Sequence, residues 1–179
     1  MDLQYKIIFH TDWHCGSGLA AGADVDSLVI KDRSDLPYVP GKTIKGLVKE
    51  ALEDLAAFKG ASPSEKAELD LMLGTEGELT GTLFFTNAEL SEEERDVIVA
   101  HDASRHLYRV VSSTKIGEDG TAEEHSLRRI QVAVPCVLKG SILNVQEEKL
   151  PVLKDALRYI KRLGQNRNRG LGRCTFVVE

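Results

Sequence analysis

The sequence predicts an α+β fold, and three observations carry that expectation. Alternating apolar residues, as in Tyr5, Ile7 and Phe9 within Gln4–Thr11, mark half-buried strands. Two segments, one opening at Pro40 and one at Leu150, carry apolar residues at helical spacing. Two strand-like runs lie between those segments and a third closes the chain, giving the order strand, helix, strand, strand, helix, strand. This is the split βαβ, or ferredoxin-like, βαββαβ arrangement, in which two helices cover one face of an antiparallel sheet.

Taken in order, Gln4–Thr11 is the first strand. Trp13–Asp35 is rich in Gly, Ala, Asp and Ser, and only Ser27–Lys31 resembles a short strand. A connection of that length is expected to be functional or disordered. Pro40 and Gly41 mark the start of the first helix, where Ile44, Leu47, Val48, Ala51, Leu52 and Leu55 form one apolar stripe. Lys42, Lys45 and Lys49 fall outside it. Ser64–Leu73 reads as a short acidic helix and Gly81–Thr86 as a strand. Asp102–Arg129 is polar, with Gly117 and Gly120 marking a turn, and reads as an inserted arm or hairpin. Ile130–Val145 is apolar and β-branched, one strand or two broken near Pro135. Leu150–Leu163 is the second helix, with a stripe of Leu153, Ala156, Leu157, Ile160 and Leu163. Gly164–Arg173 is a loop and Cys174–Val178 the closing strand. The expectation is one domain over residues 1–179, with insertions at about 12–36 and 102–129.

The net charge of −5 excludes a chain that is basic throughout, but the signs are segregated. Glu50–Asp96 holds 13 acids and 3 bases, whereas Lys154–Arg173 holds 7 bases and one acid. Two solvated faces are one explanation; a basic trough made from the arginine-rich segment and the early lysines is the other. No run approaches the roughly 20 apolar residues of a membrane span. The N-terminus has neither the basic nor the long apolar region of a signal peptide. Cys15, Cys136 and Cys174 are odd in number and widely spaced. That pattern fits neither a disulfide framework nor a zinc motif, so they are expected to be small hydrophobes in a cytoplasmic, reduced protein.

The most informative stretch is Gly164-Gln-Asn-Arg-Asn-Arg-Gly-Leu-Gly-Arg173. Gly164, Gly170 and Gly172 permit positive φ and close backbone approach. Successive N–H groups in such a turn cup a phosphate, and Arg167, Arg169 and Arg173 supply forked donors to it. A tight turn after the second helix is the plainer alternative. In Pro40-Gly-Lys-Thr-Ile-Lys-Gly46, GKT imitates a nucleotide-binding P-loop, but Leu36 stands where that motif needs glycine and Pro37 and Pro40 interrupt the strand it needs. A helix N-terminus bearing Lys42, Thr43 and Lys45 can still hold a backbone phosphate. Asp24 and Asp26 are either solvated turn formers or carboxylates able to hold a divalent metal or act as a base. The five histidines form no close ligand pair; His14, nearest to Asp24 and Asp26, is the best acid–base candidate among them. Trp13 and Tyr108 are packing residues or platforms for a base.

Three stretches together resemble the RAMP superfamily of CRISPR-associated proteins. DSLVIKDRSDLPYVPGKTIKGLVKEAL (Asp26–Leu52) is similar to the pattern D-S-hydrophobic-V-I-x-D…L-P-Y-I-P-G-S-S-L-K-G of the repeated backbone subunit of type III interference complexes. GQNRNRGLGRCTF resembles the superfamily's C-terminal glycine-rich loop and closing strand, and Arg109–Arg129 resembles its inserted thumb hairpin. The resemblance implies a ferredoxin-like core of the RNA-recognition type. It implies a subunit that coats CRISPR guide RNA beside copies of itself and other effector subunits and pairs the guide with target RNA, in antiviral defence and away from membranes. Lys42, Thr43, Lys45 and Lys49, with Gly164, Arg167, Arg169, Gly170, Gly172 and Arg173, would hold the guide backbone. In target-cleaving members the aspartate before S-hydrophobic-V-I is required for metal-dependent cleavage of target RNA. That position is Asp26, which implies a divalent cation, Mg or Mn, at this residue. Two alternatives stay open: a guide-processing endoribonuclease using His14 or His10, and an RNA-binding scaffold that cuts nothing.

Overall fold

A computed structural model describes residues 1–21, 24–60, 67, 70–75 and 79–178. In chain order the strands are β1 (Leu3–Phe9), β2 (Gly74–Thr75), β3 (Leu79–Thr80), β4 (Phe84–Phe85), β5 (Tyr108–Ser113), β6 (Arg128–Ala133), β7 (Val137–Leu143) and β8 (Cys174–Val178). The helices are α1 (Gly41–Lys59), α2 (Glu92–Ala100) and α3 (Leu150–Tyr159).

Four strands form one sheet in the order β4-β7-β1-β8, with every neighbouring pair antiparallel. The register sets Leu3 opposite Ile142, Tyr5 opposite Gly140, and Ile7 between Leu138 and Phe176. Because side chains alternate along a strand, this places Leu3, Tyr5, Ile7 and Phe9 on one face, where all four are buried. Ile44, Val48, Ala51 and Leu52 of α1 and Leu153, Ala156 and Leu157 of α3 join them in a single core. Burial of each large side chain stabilises the fold by about 1.5–3 kcal/mol.

Local chemistry fixes where α1 begins and ends. Pro40 offers no capping side chain, and the Asn87 carboxamide oxygen instead accepts from the Gly41 N–H at 3.0 Å. A Cβ on Gly41 would lie 2.0 Å from the Phe85 carbonyl oxygen, so glycine is required where α1 meets β4. Gly60, at φ 70°, closes the helix by returning its N–H to Ala56 and Ala57.

Several elements differ from expectation. Ser27–Lys31 is not a strand: Ser27 bridges Ile130, Val29 bridges Gly16 and Lys31 bridges Pro37, so the segment changes partner at alternate residues. The strand expected at Gly81–Thr86 shortens to Phe84–Phe85. The second helix ends at Tyr159 rather than Leu163, because the Lys161 carbonyl accepts from Cys174 and the Leu163 N–H donates to Gly172. The acidic helix expected over 64–73 lies mostly outside the described residues; its last residues, 70–73, are helical. Helix α2 had no sequence-based expectation, although Ser91 and Glu94 form the reciprocal capping box that starts it. Asp102–Arg129 contains most of an antiparallel hairpin, in which β5 pairs with β6 from Tyr108–Ala133 to Ser113–Arg128. Among the described residues no helix is long and apolar enough to cross a membrane.

Candidate nucleic-acid interface

The glycine-rich loop follows α3, touches α1 through Arg167 and leads into β8. Gly164, Asn166, Gly170 and Gly172 all have positive φ, with a short 3-10 turn over Arg167–Arg169 between them. Gly172 is the most constrained: a Cβ there would lie 1.9 Å from the Leu163 carbonyl oxygen, and its N–H donates to Asp12 O at 2.7 Å. The loop is thus pinned at both ends, and Arg169 and Arg173 are exposed. Arg167 is not free: its guanidinium forks onto Glu50 of α1, with Nη2 at 3.1 Å and Nη1 at 3.3 Å. A groove of about 420 Å³ between α1, the end of α3 and the loop is lined by Leu47, Glu50, Asp54, Tyr159, Arg162 and Arg167.

The α1 lysines do not face this loop across a shared trough. At 100° per residue, Lys45 and Lys49 occupy the opposite flank from Leu47, Glu50 and Asp54. Lys49 lies 3.9 Å from Glu53, and both line a separate pocket with Asp70 and Leu73. The expected single trough is therefore two cationic flanks separated by the crest of α1. Lys42 and Gly46 are exposed on that crest, and a Cβ on Gly46 would meet nothing within 4 Å. Thr43 turns toward the loop side, near the Cys15 thiol.

Asp26 is exposed and sits beside Arg129 of β6, at the end of the β5–β6 ladder remote from the Tyr108–Ala133 pair. Its Oδ2 accepts from the Arg129 N–H at 2.6 Å, and its own N–H donates to Arg129 O at 2.8 Å. Among the described residues Oδ1 has no partner. No three His, Cys, Asp or Glu side chains gather into a metal cage among those residues. The donor set is one carboxylate oxygen, which suits only a cation that keeps most of its ligands as water and phosphate, as magnesium does.

His14 is buried, with Nδ1 2.6 Å from Gln131 O and Nε2 3.1 Å from Ser27 Oγ. It is thus closed to substrate, which removes it as an acid–base candidate. His10 is exposed and bonded through Nε2 to Thr175 Oγ1 at 2.8 Å. Trp13 is fully buried, stacked on Phe9 at 4.5 Å, and donates Nε1–H to Val134 O, so it is a core residue and no platform for a base. Tyr108 is half-buried; its hydroxyl donates to Asp35 O at 2.7 Å and its ring lies under the Lys31 ammonium. Burial raises the Tyr108 phenol, and the nearby Asp35 and Asp32 charges add to the shift. The three cysteines are free thiols.

Residues that sequence reasoning missed are those that join distant segments. Asp12 forms an ion pair with Arg109 at the foot of the hairpin while its carbonyl holds Gly172. Asp32 accepts from Ser34 N–H and Leu36 N–H and pairs with Arg95 of α2 at 2.7 Å. The first two contacts of Asp32 are local and carry a turn signal; the pairs with Arg109, Arg95 and Glu50 span 63 residues or more and carry none.

A family model described as the RAMP superfamily matches residues 6–175. A chain of the type III-B Cmr-beta complex bound to cognate target RNA superposes with a TM-score of 0.73 at 11% identity, covering 99% of this chain and 97% of that one. A chain of the type III-B Cmr-beta complex in the apo state gives 0.73 at 13% identity with the same coverage. At these identities the likeness is one of fold. No curated protein sequence matches the chain.

Proposed function

The chain belongs to the RAMP superfamily, and from that premise we propose that it is an RNA-binding subunit of a type III CRISPR effector complex. Its core is read as ferredoxin-like, of the RNA-recognition type, and as one domain with insertions at 12–36 and at the hairpin. The strand order β4-β7-β1-β8 supports this, since the four strands numbered within the βαββαβ core run 2-3-1-4. The partners are guide RNA, target RNA, further copies of the chain and other effector subunits. The likeness in fold to chains of Cmr-beta supports that assignment.

The observation that carries the proposal is the glycine-rich loop, whose positive-φ glycines leave Arg169 and Arg173 exposed while Arg167 reaches Glu50 of α1. Guide RNA crosses the crest of α1 at Gly46. Lys42 on the crest and Lys45 and Lys49 on one flank take phosphates, and Arg167, Arg169 and Arg173 take them on the other. Phosphate contacts fix position without reading sequence, and base pairing with the guide selects the target.

For cleavage, Asp26 Oδ1 accepts the proton of a target 2′-hydroxyl. The freed oxygen attacks the adjacent phosphorus, a 2′,3′-cyclic phosphate forms, and the 5′-oxygen leaves and takes a proton from water. A divalent cation bound at Asp26 would supply charge neutralisation on the phosphate. The Arg129 N–H holds the carboxylate in place by its bond to Oδ2.

A scaffold that binds without cutting is the second reading, favoured by the single carboxylate at the site. Two measurements test the proposal. Mixing the protein with guide RNA and sizing the product should give particles that grow with RNA length, and a free monomer at every ratio would overturn RNA coating. In the assembled complex, Asp26→Ala should abolish target cutting; no cutting by the wild type would leave the scaffold.

A further inference from the structure

Among the described residues no other charged, amide, Ser or Thr side chain is buried as His14 is. It stands where three segments meet. Gln131 O, on β6, can only accept, so His14 Nδ1 carries the proton and donates to it at 2.6 Å. Nε2 is then the acceptor for the Ser27 hydroxyl at 3.1 Å. The His14 carbonyl accepts from the Gln165 N–H of the glycine-rich loop at 2.9 Å. The surroundings leave little slack. A Cβ on Gly164 would lie 2.3 Å from His14 O, and one on Gly16 would lie 3.2 Å from Nε2. Gln131 also donates its N–H to Ser27 O at 3.0 Å and accepts the Val29 N–H on its side chain at 3.3 Å. Ser27 follows Asp26, whose carboxylate is held by Arg129 two residues before Gln131 on the same strand.

We propose that His14 is a positioning residue: it sets the distance between the phosphate-holding glycine-rich loop and the Asp26 carboxylate. The proposal rests on the assignment of Asp26 as the cleaving residue. Cutting at one fixed phosphodiester requires that the element gripping the guide and the group acting on the target keep a constant separation, and misplacement by about 1 Å is enough to lower the rate about a hundredfold. His14 ties one to the other through a side chain that solvent does not reach. Its ring fixes the Asp26–Ser27 segment to β6, and its backbone fixes the loop. Nδ1–H on Gln131 O leaves Nε2 to pair with the Ser27 hydroxyl, so the two ring nitrogens hold β6 and the Asp26–Ser27 segment together.

His14→Ala would open a cavity in the core, so the test uses Ser27→Ala, which removes the donor to Nε2 and leaves the ring in place. In the assembled complex, with guide and target RNA, product ends are mapped to the nucleotide. Ser27→Ala should cut about tenfold more slowly or at more than one phosphodiester, with guide affinity unchanged within about twofold, as expected for loss of one orienting hydrogen bond. Ser27→Thr, which keeps the hydroxyl, should restore the wild-type rate and position. In the free protein, nitrogen NMR should find His14 protonated at Nδ1. Wild-type rate and cut position in Ser27→Ala, or a ring without a proton on Nδ1, overturns the proposal. Asp26→Ala run beside it separates the two ideas: if cutting persists there, the Asp26 assignment falls and takes the positioning role with it; if cutting is lost there but unaltered in Ser27→Ala, the positioning role alone falls.

Discussion

Arg167 of the glycine-rich loop is forked onto Glu50 of α1, a contact that spans 117 residues of sequence. Both side chains are about half-exposed, at 42% and 54%, so the pair contributes only about 0–1 kcal/mol. An incoming phosphate, equally suited to the guanidinium fork, displaces the carboxylate at little cost. Glu50→Gln should therefore bind RNA more tightly, by about three- to tenfold at low salt, with a near-unchanged thermal midpoint. Fluorescence anisotropy with labelled RNA checks this; weaker binding would mean that Glu50 supports the loop rather than competing with the ligand.

Gly46 lies within α1 and is exposed, and a Cβ there would meet nothing within 4 Å among the described residues. An exposed helical glycine costs about 0.5–1 kcal/mol relative to alanine. Gly46→Ala should raise stability by that amount in a urea titration. On the proposed path of the guide over this crest, the added methyl should also weaken RNA binding. A gain in stability with RNA binding unaltered would move the path away from Gly46.

Gly172 has a different basis. Its φ is 68°, and a Cβ would fall inside the contact distance of Leu163 O. Gly172→Ala strains the backbone and breaks the close approach, and should destabilise the fold by about 1–3 kcal/mol. Urea unfolding followed by far-UV circular dichroism measures this, and a loss below about 0.5 kcal/mol would show that the loop relaxes freely.

Burial pushes the Cys136 and Cys174 thiols up to about 12. An unfolded thiol ionises near about pH 8.5. Above that pH the unfolded chain has released protons that the folded chain keeps, so stability is complete below about pH 8.5 and falls as pH rises towards 12. Tyr5, raised by burial and with a hydroxyl that finds no hydrogen-bond partner among the described residues, adds to the loss at higher pH. The urea midpoint should drop steadily from about pH 9 to 11. A flat profile there would contradict the buried thiols.

Much of the fold was legible because it depends on local periodicity. The stripe of Ile44, Val48, Ala51 and Leu52 gives α1, and the alternation of Tyr5, Ile7 and Phe9 gives β1. Where local pattern and long-range pairing compete, the pattern misleads. Leu163 fits the α3 stripe, yet its backbone pairs with Gly172 instead. Ser27–Lys31 alternates like a strand, yet each bridge goes to a different segment. At the site, Gly164, Gly170 and Gly172 were legible because positive φ needs glycine. His14 was legible as a candidate but not in its role, since its burial is decided by Gln131 and Ser27, 117 and 13 residues away. The two cationic stretches were legible as charge; that Glu50 claims Arg167 and the lysines take the other flank depends on how α1 is rotated in the core.

The claim that the glycine-rich loop grips RNA through phosphates is tested most directly by the salt dependence of RNA affinity in the wild type and in Arg167/Arg169/Arg173→Ala. Each phosphate contact to a single strand contributes about −0.7 to the slope of log K against log salt, so the triple variant should lose about two units of slope together with affinity. Parallel lines of equal affinity would contradict it.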